Sequence, residues 1–491
     1  MKILSTNIYV GPNIWANFPV IRHVIDLGLL EQWPSAKIGE EFIGGLVEAL
    51  PGLETHGCSY REPGGFIRRL REDRGTWLGH VMEHCALEIQ CNAGAEVSFG
   101  RTRSTDTLGQ YNIVYAYKQR NVGLDSGQLA LQLIMQLLPK KLKSQLDYDF
   151  NDDFDWQSEL KEFILSSQKH EFGPSTSSLI KAAETRGIPW LRLNNYSLVQ
   201  FGQGKYQKRI QATITSNTRQ IAVAIACNKE DTHNLLYKLG LPVPVQKVVY
   251  NERTAVQAAL SIGYPVVIKP LNANHGRGVS INLTKNEQVI SAFIEAKKHR
   301  DGQVILVESF VKGFDHRMLV VNNELVAVAK RVPGHVVGDG KSSIAELIEI
   351  INSDPRRGIG HEKVLTNLEL DLQAKRLVKE GGLTKESILP KGKIFYIRST
   401  ANLSTGGTAI DLTEVVHPDN SEMAIRAIMA IGLDVGGVDF LTDDITRSYK
   451  DIGGAIIEVN AAPGFRMHVA PSEGKPRDVS GKVMDMLFPV D

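Results

Sequence analysis

The sequence predicts a multidomain protein that mixes α/β and α+β folds. Three observations carry this. The chain has 491 residues, too many for one ordinary domain. Hydrophobic residues make up 42% and charged residues 23%, the balance of a globular protein. Short apolar runs alternate with amphipathic stretches to the end, with no internal repeat or low-complexity tract.

Residues 1–160 read as a first, α+β unit. Strands are expected at MKILSTNIYV (1–10) and YNIVYAY (111–117), and helices at FPVIRHVIDLGLL (18–30), IGEEFIGGLVEAL (38–50) and TWLGHVMEHCALEIQC (76–91). LDYDFNDDFDWQSELKEF (146–163) is acidic and then amphipathic, and reads as an interdomain segment. Residues 161–491 form the second unit. PSTSSLIKAAETRGIPWLRLNNYSLVQFG (174–202) has helix-then-strand character, and Asp231–Gly240 is a short helix closed by its glycine. NERTAVQAALSIG (251–263) is a helix and YPVVIKP (264–270) a buried strand. The polar, helical stretch across about 335–390 reads as an inserted lid element.

Charge narrows the function classes. Lys+Arg total 56 and Asp+Glu 55, which gives no global case for nucleic acid or an anionic membrane. No run reaches the ~18 apolar residues of a membrane span. The opening MKILSTNIYVGPNIW lacks a basic region followed by an apolar one, so no secretory signal is expected. Cys58, Cys85, Cys91 and Cys227 form no C-x-x-C pair, which suits reduced thiols in the cytoplasm.

Segments of the second unit suit a nucleotide. Lys269 ends the apolar strand PVVIKP, where it can reach phosphates as a point charge. NANHGRGV follows, and Gly276 and Gly278 let backbone N–H groups close over phosphates. The plainer alternative is an ordinary hairpin turn, with His275 and Arg277 at a solvated tip. In VESFVKGFDHRMLV, backbone at Ser309 to Val311 suits the edge of a purine, and Glu308 or Asp315 could hold ribose hydroxyls. GVDF and IIEVNAAPG supply Asp439, Glu458 and Asn460, hard oxygen donors suited to Mg²⁺ beside phosphate oxygens. Glu458 and Asn460 are two apart on one strand and share a face. Arg398 and Asn402 in IRSTANLSTGG could hold a transferred phosphoryl group. Gly334 to Gly340 with Lys341-Ser342 is one residue too long for a Walker A loop, so GDGKS reads as a turn opening a helix.

Together these positions resemble the ATP-grasp superfamily over about residues 168–485. The resemblance implies that Lys229 and Lys269 contact phosphates, that Glu308 borders the adenine site, and that Asp439, Glu458 and Asn460 hold two Mg²⁺. It also implies an acyl phosphate made from a carboxylate and ATP, which an amine displaces.

HVMEH (80–84) has the H-x-x-E-H spacing. His80 and His84 lie one turn apart and could hold Zn²⁺, with Glu83 as general base on a bound water. The third ligand is open: Glu88, one turn on, or a residue from elsewhere in the fold. The alternative is a polar helix face that holds nothing.

NIYVGPNIWANFPVIRHVIDLG, WLGHVMEHCALEIQ and the stretch from HGRGV to APGFRMH resemble the cyanophycin synthetases. That resemblance implies addition of L-aspartate to the C-terminal backbone carboxylate of cyanophycin, a poly-aspartate with arginine on its side chains. It implies a first unit that holds polymer and, through the H-x-x-E-H residues, cuts it into primers. A homo-oligomer, a tetramer, is implied too. The family's arginine-adding Mur-ligase-like domain is expected to be missing, because the sequence stops at VMDMLFPVD without a GTNGKT-type loop. The protein would then be a fragment or a short relative. Competing classes are a ligase for small molecules, a non-catalytic polymer-binding protein, and a protein whose main activity is hydrolysis in the first unit.

Overall fold

A computed structural model describes the protein except residues 152, 170, 272–277, 299–303, 359–362, 399, 490 and 491. It divides into two compact units. The first comprises Met1–Glu171 with Leu191–Tyr196, and the second Phe172–Trp190 with Ser197–Asp491.

The first unit is built on a four-stranded antiparallel sheet. Its order is Lys2–Tyr9, Val20–Asp26, Gln110–Ala116, Gly100–Ser104. The expected helix at 18–30 is instead a central strand, followed by a 3-10 turn at Gly28–Gln32. Val20, Ile21, Val24 and Ile25 are β-branched and pair on both sides with neighbouring strands. Their spacing also fits one face of a helix, so periodicity alone misleads here. Gly28, at φ +53°, turns the backbone after the strand.

The helix Leu78–Asn92 is buried along nearly its whole length. Val81, Met82, Cys85, Ala86 and Ile89 join Ile25, Ile113, Leu133 and Ile134 in one core. Full burial of each large aliphatic residue contributes ~1.5–3 kcal/mol, so this helix is held at a fixed height over the sheet. The helix Trp156–Gln168 packs Phe163 into the same core. The segment read as interdomain therefore belongs to this unit in its helical part.

The second unit holds two larger antiparallel sheets. One runs Ser280–Leu283, Val266–Pro270, Ile305–Ser309, Gln246–Val249, packed against helices Glu252–Ile262 and Asn286–Lys298. Asn251 starts the first of these helices with a capping box. The other sheet runs Thr408–Asp411, Glu324–Val332, Phe314–Val321, Val435–Thr442, Ala455–Asn460. Alternation along Phe314–Val321 sends Met318 and Val320 to one core, and Leu319 and Val321 to another. The strand is thus covered on both faces, and its polar residues concentrate at the Phe314 end.

The stretch 335–390 forms its own small core from Val336, Ile344, Leu347, Ile348, Leu368, Ala374, Val378 and Leu389. Asp339 accepts hydrogen bonds from the Lys341 and Ser342 N–H groups, and Ser343 caps Ile344–Asn352 with Glu346 in a capping box. GDGKS is thus a turn opening a helix.

Candidate nucleotide cleft and candidate metal centre

In the second unit a cleft is lined by Lys229, Thr232, His233, Gln246, Lys269, Glu308 and Glu458 among others. Asn228 caps the helix Lys229–Lys238 and so places Lys229 at its first turn. Lys269 comes from the end of Val266–Pro270, and Glu308 from the neighbouring strand, where it opposes Val267. Lys269 Nζ donates to Glu308 Oε2 at 2.7 Å, with both side chains nearly buried. Burial pulls the Lys229 ammonium below its ordinary pKa; Glu458 and Glu308 oppose this and Lys269 adds to it. Two lysines and two glutamates from four elements thus face one space. A neighbouring groove is lined by Val245, Ser309, Val311 and Lys312. Ser309 N–H is taken by the Val245 carbonyl, and Phe310 N–H by Pro265. Among the described residues no hydrogen bond takes the Val311 N–H. Gly278, at φ +66°, follows the predicted flap, whose His275, Gly276 and Arg277 lie outside the described residues.

Asp439 sits opposite Glu458 in register, and Asn460 opposes Gly437. Arg317 donates to both Asp439 oxygens, at 2.5 and 3.3 Å, and Arg331 donates to Oδ2 at 2.8 Å. Burial would raise the Asp439 pKa, but the two guanidiniums more than offset it and hold the carboxylate ionised. Asp315 pairs with Arg331 at 2.7 Å, so the structure brings it to this cluster and not beside Glu308. Its pKa is raised, first by burial and then by the Asp439 charge, against the pull of Arg331.

The donor set fits a hard cation. Glu458 and Asn460 offer side-chain oxygens two residues apart on one strand. Three of Asp439's roughly four lone-pair sites are taken by arginine N–H groups, so it would share an ion with them. Arg398 is placed elsewhere. Its guanidinium donates to Asp371 at 2.5 Å and to the Thr405 and Glu369 carbonyls, none of which lines the cleft. Asn402 caps a 3-10 turn, and its carbonyl accepts from Thr405 and Gly407.

In the first unit the ligand atoms of Cys58, His80 and His84 lie within 4.8 Å of one another. His84 Nε2 is 3.2 Å from His80 Nε2, and Cys58 Sγ is 3.5 Å from the same His80 atom. Phe66 stacks on His84 at 3.9 Å between ring centroids and meets His80 edge-on. Burial lowers His80 to about 4, with Arg69 adding to the shift, and burial, with His80 and His56 adding, holds His84 well below its ordinary value, so both rings are neutral near pH 7. Neutral nitrogens and a thiol are a Zn²⁺ donor set, and three protein ligands would leave a position open. The third ligand-type residue that the structure gathers with the two histidines is Cys58, from elsewhere in the fold, and Glu88 is not in the group. Glu88 turns instead to His56 Nε2 at 2.9 Å. Glu83 is not gathered with the trio. It accepts from Thr102 Oγ1 at 2.6 Å against the strand Gly100–Ser104, and burial raises it to about 7.

Sequence reasoning missed Cys58, His56, Arg317 and Arg331. His56 and Cys58 share the short motif THGCSY, a pairing of two ligand types that was a readable signal. Arg317 alternates with His316 in a strand otherwise fully apolar toward its end, which also marked it.

Comparison with known proteins agrees with this geometry. A cyanophycin synthase-like N-terminal domain matches residues 22–139, and a RimK-like ATP-grasp domain matches residues 226–342. The protein is 47% identical over 495 residues to the cyanophycin synthetase of Trichormus variabilis, covering 100% of this sequence and 53% of that protein. It is 34% identical over 340 residues to the glutathione biosynthesis bifunctional protein GshAB of Clostridium perfringens, covering 67% of this sequence and 44% of that one. The solved bifunctional glutathione synthetase from Pasteurella multocida shares the fold, at TM-score 0.54 and 20% identity, over 96% of this sequence and 82% of that one. The sequence spans about half the length of the cyanophycin synthetases it matches. By sequence and fold, then, it is a relative of the cyanophycin synthetases along its whole length, made of a cyanophycin synthase-like N-terminal domain and an ATP-grasp domain.

Proposed function

We propose that the protein is an ATP-dependent carboxylate–amine ligase that adds L-aspartate to the C-terminal backbone carboxylate of cyanophycin. The observation that supports this best is the convergence of Lys229, Lys269, Glu308 and Glu458 on one cleft. Lys229 and Lys269 hold phosphate oxygens, and Ser309 to Val311 border the purine. Glu458, Asn460 and Asp439 would hold Mg²⁺, which supplies charge neutralisation at the phosphates. The polymer carboxylate attacks the γ-phosphate, forming an acyl phosphate and ADP. The α-amine of aspartate attacks the acyl carbon, and phosphate leaves. Arg398 acts at one remove, by holding Asp371 and Glu369 of the inserted element, and Asn402 shapes the turn that follows.

The first unit holds polymer. The Cys58–His80–His84 cluster supports a second activity there, zinc-dependent cleavage of polymer into primers with Glu83 as base. The four free cysteines support a reducing, cytoplasmic setting.

The test is ADP release by purified protein with Mg-ATP, L-aspartate and a primer ending in a β-arginylated aspartate unit. Release that needs both aspartate and primer, with one aspartyl residue added by mass, is the expected result. ATP binding without such release would overturn the reading. Glu83→Gln should abolish primer-free synthesis and spare primed synthesis; unchanged primer-free synthesis would remove the hydrolytic role.

A further inference from the structure

We propose that Glu88 and His56 form a relay that fixes the tautomer of His84 and so presets its Nε2 lone pair for a metal ion. The proposal rests on the metal-centre reading of Cys58, His80 and His84 and goes beyond it, to two residues that touch no metal.

The hydrogen bonds run one way. His56 Nε2 lies 2.9 Å from Glu88 Oε2, and a carboxylate only accepts. A neutral His56 therefore carries its proton on Nε2 and has a lone pair on Nδ1. That Nδ1 is 2.8 Å from His84 Nδ1, so His84 must donate there. With its proton on Nδ1, His84 turns a bare Nε2 toward His80 and Cys58.

His80 is held differently. Its Nδ1 is 2.9 Å from Thr76 Oγ1, and a hydroxyl both donates and accepts. Without metal, His80 can donate from Nε2 to His84 Nε2 while Thr76 donates to its other nitrogen. With metal, the His80 proton moves to Nδ1 and Thr76 accepts it. One ring is locked and the other adapts, which lets the empty pair avoid two lone pairs facing each other at 3.2 Å.

The fold builds room for the relay. Gly52 backs onto Glu88, where any Cβ would overlap the carboxylate oxygen. Phe66 fixes the plane of His84. The relay also balances charge. A divalent ion with one thiolate and two neutral imidazoles keeps one net positive charge, which the Glu88 carboxylate offsets through His56.

The test is zinc affinity of the full-length protein, by competition with a chromophoric chelator, with cobalt(II) spectra as a second readout. His56→Phe and Glu88→Met should each weaken zinc ~10–100-fold, the range for outer-shell partners of a metal ligand. Glu88→Gln should fall less, because its amide oxygen still accepts from His56. The double variant should be no worse than the weaker single, since links in series fail once. The thiolate-to-cobalt band should persist in all of them and vanish in Cys58→Ser. Wild-type affinity in Glu88→Met, or losses that simply add in the double variant, would overturn the relay and leave the metal centre standing. A wild-type protein that binds neither zinc nor cobalt would overturn the centre and the relay together.

Discussion

The first unit gathers His80 and His84, both held neutral by burial, around the thiol of Cys58, whereas the second packs Arg317 and Arg331 against Asp439 and Asp315, and Lys269 against Glu308. The difference follows from what each centre is suited to take. A cluster of neutral donors costs little to bury when empty and gains charge only with a cation. A cleft for polyphosphate must keep lysine and arginine charged in low dielectric, which demands carboxylate partners. The first centre should therefore tolerate losing a member in stability while losing metal. The second should lose stability and chemistry together.

Asp439→Ala sharpens this most. It leaves Arg317 and Arg331 buried without their shared counter-ion, and urea unfolding should show a loss of ~3–5 kcal/mol. A loss under about 1 kcal/mol would mean that the two guanidiniums are solvated and would break the contrast. Lys269→Met should lower kcat/KM for ATP ~10²–10³-fold, the usual effect of removing one fixed group that stabilises developing charge. Steady-state ADP release with primer checks it. Cys58→Ser should weaken zinc about 100-fold, at or beyond the upper end for an outer-shell partner, and chelator competition measures it.

The smallest effect concerns pH. His23 in the first unit is fully buried, donating to or accepting from Thr6 and Tyr115, and burial pushes it down to about 4. Its folded pKa lies below the unfolded 6.5, so the unfolded state takes up the proton first as pH falls. Stability is full above 6.5 and declines through the window down to about 4, by ~1.4 kcal/mol at pH 5.5. His23→Gln should flatten that decline in urea titrations of the full-length protein at pH 7.5 and 5.5.

Much of the second unit was legible because its candidate site residues sit at strand ends inside apolar runs, as Lys269 does in PVVIKP and Glu458 in IIEVN. Strand periodicity then fixes which side chains share a face. What could not be read was pairing across strands: nothing in DHRML says that Arg317 will oppose Asp439, which lies 122 residues away. Arg398 illustrates the same gap, since its Asp371 partner lies 27 residues earlier, on the inserted element. In the first unit the i, i+4 histidines were visible because a helix brings them together. Cys58 comes from a 3-10 turn 22 residues earlier, and no periodicity links it to His80. The strand at Val20–Asp26 is hard to read because a β-branched run carries helix-compatible spacing, and only pairing on both edges decides it.

The proposed function assigns two chemically distinct centres to one polymer. The most direct measurement is ADP release with and without primer, each before and after zinc-selective chelation in excess Mg²⁺. Chelation should abolish primer-free release and leave primed release unchanged. Equal loss of both, or loss of neither, would contradict it.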